Sequence, residues 1–243
     1  MACDIRIGTS GWHYPYWKGR YYPEKCSPAQ MFEIYRGDFD TVEINNTFYH
    51  LPPTTAFESW KRSTPPGFLF ALKGSRFITH MKKLKDPEPA IERFFEGPVL
   101  LGRKLGPIIF QLPPRWRANA ERLDAFCRAL PRRRRYAFEL RDPSWIVPEI
   151  LDILRKHRMA FCIYDFAGFR SPLEITTDFA YVRLHGPTAR KYEGSYSAKQ
   201  LAEWARWIEK QSRTLKGIYF YFDNDQEAHA AYNALELKRL VVV

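Results

Sequence analysis

Two glutamates, two aspartates and a histidine stand at or near the points where short apolar runs of this chain end: Glu43, Glu139, Asp165, Asp223 and His185. Carboxylates held in contrasting environments can divide the work of acid and base. Glu43 and Glu139 are therefore candidate catalytic residues, with His185 and Asp165 as their partners. The same five residues combine hard oxygen ligands with an imidazole, a set that suits Mg, Mn or Zn. No closely spaced ligand pattern such as H-E-x-x-H occurs, so a divalent metal stays open without being favoured and the cofactor is unspecified.

Cations stand at equivalent points. Lys73, Arg141 and Arg183 could form an anion clamp, since a guanidinium fork matches phosphate or carboxylate. Their alternative role is to neutralise the acids just named. Ser10, Trp12, Asn45, Asn46, Tyr49 and His80 join the candidate substrate-binding set, as do Gln111, Trp145, Tyr192, Asp223 and Asn224. Trp12, Trp17, Trp145, Tyr192 and Tyr196 fall in loops, where rings stack bases or sugars or wall a cleft. Trp60, Trp204 and Trp207 lie in helical patterns and read as core. Ser10 sits in Gly8-Thr9-Ser10-Gly11, which is not the G-x-S-x-G elbow of a nucleophilic serine.

Short strand-like runs carry these groups. They are Ile5-Arg6-Ile7, 40–44, 68–72, 108–110, Tyr136–Leu140, 160–165, Phe179–Leu184 and 218–222. Helical patterns alternate with them: one opened by Ser27-Pro28, one capped by Thr54 or Thr55, one starting at Asp86-Pro87, and one over 118–130. Three more follow, through Ile150, Leu151 and Leu154, from Ser197 onward, and at the end with Ala228, Ala231, Tyr232 and Leu235 on the buried side. Apolar strands with little alternation belong to a parallel sheet covered on both faces. Continuous β-α alternation over 243 residues predicts an α/β fold, a single-domain TIM (β/α)-barrel spanning 1–243 and irregular in detail. A closed barrel would gather the candidate residues at one mouth, because they lie at the C-terminal strand ends.

A formal net charge of +11 favours polyanionic partners, an anionic small molecule or nucleic acid. The run Arg132-Arg133-Arg134-Arg135 precedes the fifth strand and reads as a solvated connection. Cys3, Cys26, Cys127 and Cys162 form no C-x-x-C pair and read as free thiols of a reducing, cytoplasmic setting. The first residues enter a strand-like run rather than an apolar signal region, and no uncharged run approaches about 20 residues, so a soluble, non-membrane protein is expected.

The motifs GTSGWHYPYWKGRYYP, EINNTFYHLPP, FITH, FQLPP, FELRDPSW, YVRLHGP with YEGSYS, and YFDND resemble those of the YecE-like family, in that order and over nearly the whole chain. That family is a bacterial and archaeal group carrying a domain of unknown function. The resemblance implies a TIM barrel with the motif residues at one mouth and supplies no reaction. Two departures stand out: Asp223 where the family commonly has Asn, and Glu227-Ala228 near where a glycine is usual.

The residues and the charge together lead to an enzyme, hydrolase-like or isomerase-like, acting on a phosphate-bearing substrate of nucleotide or nucleic-acid type. A glycosidase-like enzyme is the alternative, because paired carboxylates and tryptophans also describe a sugar cleft. A non-catalytic nucleic-acid or ligand-binding protein is the rival of another class.

Overall fold

The computed structural model describes residues 2–241. From the N-terminus these form β1 (Asp4–Thr9), α1 (Pro28–Asp38), β2 (Thr41–Ile44), α2 (Asn46–Tyr49), α3 (Thr54–Arg62) and β3 (Leu69–Lys73). Next come α4 (Pro87–Phe95), β4 (Leu105–Leu112), α5 (Ala120–Ala129), β5 (Tyr136–Leu140) and α6 (Pro148–Lys156). The chain continues through β6 (Ala160–Phe166), β7 (Phe169–Arg170), β8 (Phe179–Leu184), α7 (Ala198–Ser212), β9 (Gly217–Phe222) and α8 (His229–Leu240).

The strand order β1-β9-β8-β6-β5-β4-β3-β2 is that of an α/β barrel. Two irregularities mark it. Antiparallel β7 is added to β6, and β1 meets β2 at a single bridge, Ser10 to Glu43, rather than along a ladder. Side chains supplement that seam. Tyr35 accepts from the Thr9 backbone N–H at 3.1 Å and donates to the Thr41 carbonyl at 3.0 Å. Gly8 allows the close approach, since a Cβ there would lie 2.6 Å from the Thr41 carbonyl oxygen.

Helix starts follow local chemistry. Ser27 with Gln30, and Ser197 with Gln200, close reciprocal capping boxes on α1 and α7. Asn119 accepts from the Arg122 N–H and starts α5 later than the expected residue 118. The phase of α8 differs from expectation. Glu227 and Ala228 adopt left-handed φ of 54° and 62°, so the helix begins at His229 and buries Ala230, Ala231, Asn233, Ala234 and Leu237. Tyr232, expected inside, is exposed.

Packing groups the described residues into two compact units. One holds the residues up to Glu43, Ile163–Leu173, and those from Asp178 onward; the other holds Ile44–Cys162 and Glu174–Thr177. In the first, β1–β9 and β8–β9 are parallel ladders. In the second, β3–β4, β4–β5 and the start of β6 on β5 are parallel. Among the described residues no helix is long and apolar enough to cross a membrane.

Candidate functional site

The unit ending in α8 contains a buried ionic network centred on Arg183. Side chains two apart on a strand share a face, so Tyr181 and Arg183 of β8, with His185 beyond it, form one row. Arg183, Glu43 and His185 are fully buried. Arg183 Nε lies 3.0 and 2.9 Å from the two Glu43 oxygens, and Nη2 lies 2.7 Å from Oε1. The same Nη2 reaches Asp223 Oδ2 at 2.9 Å. Tyr181 donates to Glu43 Oε2 at 2.6 Å, and the Ser10 hydroxyl donates to Oε1. Burial beside Glu43 drives the Tyr181 hydroxyl far above its ordinary pKa, which keeps it a donor. Glu43 thus has its acceptor positions filled by the protein itself. His185 Nε2 is 3.2 Å from Arg183 Nη1, and its Nδ1 is 2.9 Å from Asp223 Oδ2.

Further acids surround this network. Burial raises the Asp165 carboxyl above its ordinary range against the pull of Arg170, 3.3 Å away. Asp225, which sequence reasoning did not single out, is also raised, first by burial and further by Asp223, while the Tyr16 hydroxyl donates to it and opposes the shift. Its signal was present in the uninterrupted polar end of YFDND. Asn224, expected to bind substrate, spends its amide on the Gly194 carbonyl at 2.8 Å and on Asn233 Oδ1 at 3.0 Å. It pins a loop to α8. Gly186 turns the chain after His185 with φ 111°, and a Cβ there would sit 2.4 Å from the Glu193 carbonyl. The loop then returns, and the Tyr192 N–H donates to the His185 carbonyl at 2.8 Å. The Tyr192 ring lies 5.7 Å from the imidazole. Trp12 is half-buried with its ring 4.8 Å from Phe32.

The other unit presents a cationic group. Lys73 ends β3 with its ammonium 4.4 Å from the centroid of Phe48. Thr47 donates to the Lys73 carbonyl at 2.7 Å and so ties α2 to that strand end. Gln111 and Glu139 are paired in register across β4 and β5, both buried. Arg141 Nε contacts Glu139 at 2.5 Å. His80 lies in a π-helical turn, Phe77–Met81, closed by Lys82 N–H to the Phe77 carbonyl at 2.8 Å. Such turns are rare overall and are frequent at functional sites. Burial, then Lys73, Arg76 and Arg141, lower the His80 pKa to about 4. The imidazole is neutral at pH 7, with Nδ1 2.9 Å from the Thr79 hydroxyl. Phe48 links the group to Tyr49, its ring 5.0 Å from Tyr49 and 5.1 Å from His80. Asn45 is half-buried and Asn46 exposed at the start of α2.

Several aromatic expectations need correction. Trp145 is fully buried, donates its indole N–H to the Trp116 carbonyl at 2.5 Å and packs on the Trp116 ring. It has no face open for stacking. Trp17 and Tyr196 are likewise interior. Each has an apolar body to bury and one polar atom that finds a backbone or side-chain partner. Among the described residues no three His, Cys, Asp or Glu side chains are grouped so that they could hold a metal ion.

A family model described as a protein of unknown function, DUF72, matches residues 6–243. The chain belongs to the DUF72 family. It is similar to the UPF0759 protein YunF of Bacillus subtilis, 23% identical, with 98% of this chain and 94% of that protein covered. A solved DUF72 family protein of Thermotoga maritima superposes with a TM-score of 0.89 at 31% identity, covering 98% of this chain and 99% of that one. A DUF72 family protein of Enterococcus faecalis shares the fold at TM-score 0.81 and 20% identity, covering 98% of this chain and 95% of its own.

Proposed function

We propose that this protein is an enzyme acting on a phosphate-bearing substrate, with Lys73, Arg141 and His80 binding the phosphate and Glu139 handling the proton. The observation that carries this reading is the field at His80. Burial first, and then Lys73, Arg76 and Arg141, hold the imidazole neutral, and the three cations make this a position that favours an anion. A neutral imidazole can still donate one hydrogen bond to a phosphate oxygen. Glu139 is the carboxylate of this group, held in one orientation by Arg141. The reaction is of hydrolase or isomerase type. The motif set quoted above supports a place among YecE-like members of the family, and the four free cysteines support a reducing cytoplasm.

NMR of His80 tests the reading. Adding inorganic phosphate or pyrophosphate should raise its pKa from about 4 by about one unit, because an adjacent dianion offsets the cations. Lys73→Met and Arg141→Met should each abolish that response. An unchanged His80 titration at saturating anion would remove the basis of the proposal. A sugar substrate is the second reading, favoured by the raised pKa values of Asp165 and Asp225, which suit general acids in glycoside cleavage.

A further inference from the structure

We infer that the segment around the π-helical turn, with Tyr49, is a platform for single-stranded nucleic acid, whose phosphate enters the group formed by Lys73, His80 and Arg141. The inference rests on the phosphate reading above and names its substrate class. Every charged residue from Ser59 to Lys85 is a cation. Beside those cations the same surface exposes large apolar side chains: Tyr49 is 65% exposed, Phe77 45% and Met81 70%. Exposed rings interleaved with cations match a single strand, whose unstacked bases need π-faces and whose phosphates need charge. A duplex keeps its bases stacked and offers those rings nothing.

The backbone holds the basic loop in one shape. Lys83, Leu84 and Asp86 all have left-handed φ, at 49°, 63° and 44°. Such strain in residues other than glycine persists only where the surroundings enforce it. Leu84 supplies the enforcement, buried at 2% exposure with its N–H on the Ile78 carbonyl at 2.9 Å. With Leu84 plugged in, Lys82, Lys83 and Lys85 are left facing solvent. The one carboxylate at the end of the loop, Asp86, is 3.9 Å from Lys82 with both side chains exposed, a pairing too weak to neutralise the loop. Basic and aromatic surfaces also bind anionic lipid, an outcome that the vesicle arm of the test below separates.

The test is fluorescence anisotropy with a labelled oligothymidylate and an oligouridylate of about 12 nucleotides, their duplexes, and a salt series. Wild type should bind single strands more tightly than duplexes. Tyr49→Ser and Phe77→Ser should each weaken single-strand binding about tenfold. Lys82→Gln/Lys83→Gln/Lys85→Gln should flatten the log–log salt slope by about 2, at roughly 0.7 per phosphate contact. Arg132→Gln/Arg133→Gln/Arg134→Gln, a remote basic control, should change nothing. Equal binding of duplex and single strand, loss in the arginine control, or equally tight and Phe77-dependent binding to phosphatidylserine vesicles would each overturn the inference. If pyrophosphate still shifts His80 but no single strand binds, the platform fails while the phosphate site stands. If single strands bind with Tyr49 and Phe77 dependence but Lys73→Met and Arg141→Met leave affinity unchanged, the route through the phosphate site fails.

Discussion

Replacing Arg183 with methionine should lower the stability of the fold more than any surface change. The guanidinium contacts both Glu43 oxygens at 2.7–3.0 Å and Asp223 at 2.9 Å, with no solvent access. Its loss leaves Glu43 buried with Ser10 and Tyr181 as donors among the described residues, beside a second carboxylate. Removing one partner of a buried pair costs about 3–5 kcal/mol. For a chain of this length each kcal/mol lowers Tm by about 2–4 °C, so a fall of about 10 °C is expected. Arg183→Met/Glu43→Leu should recover part of the loss, because apolar replacement of a whole buried pair is often neutral. Urea unfolding of the wild type, both single variants and the double variant would give a coupling energy of about 2 kcal/mol or more. A cost below about 1 kcal/mol for Arg183→Met, with additive singles, would refute the reasoning and return Arg183 to the pool of anion binders.

Two further predictions concern stability. Asp124, held by Lys156 and His157 at 2.8 and 2.7 Å, has its pKa lowered to about 2 from 3.8. A depressed carboxylate contributes stability present above pH 4 and lost as pH falls through 2, so Asp124→Asn should cost about 1 kcal/mol at pH 7 after solvent screening and less than half of that at pH 2, as measured by urea unfolding at both pH values. Ala228→Gly should stabilise by about 0.5 kcal/mol, because relief of the left-handed strain at φ 62° exceeds the added unfolded-state entropy. A lower Tm for that variant would show that the Ala228 methyl, fully buried, packs for more than its strain costs.

The eight main strands and the helix starts at Ser27-Pro28 and Ser197 were legible in the sequence, because apolar runs and capping residues are local properties. The ordered motifs pointed to a family carrying a domain of unknown function, and the family shown is DUF72. What local pattern could not decide was who meets whom. Arg183 and Glu43 are 140 residues apart, and only folding showed that the arginine is consumed by the acid rather than left for a ligand. Trp145 looked like a loop aromatic until Trp116, 29 residues away, took its N–H. The start of α8 turned on two left-handed residues that nothing in their side chains announces. Residue type determined which chemistry each strand end could offer. Tertiary burial decided which of those groups are paired, as Arg183 is with Glu43 and Arg141 with Glu139, because the energy of a charge depends on its neighbours and its access to water.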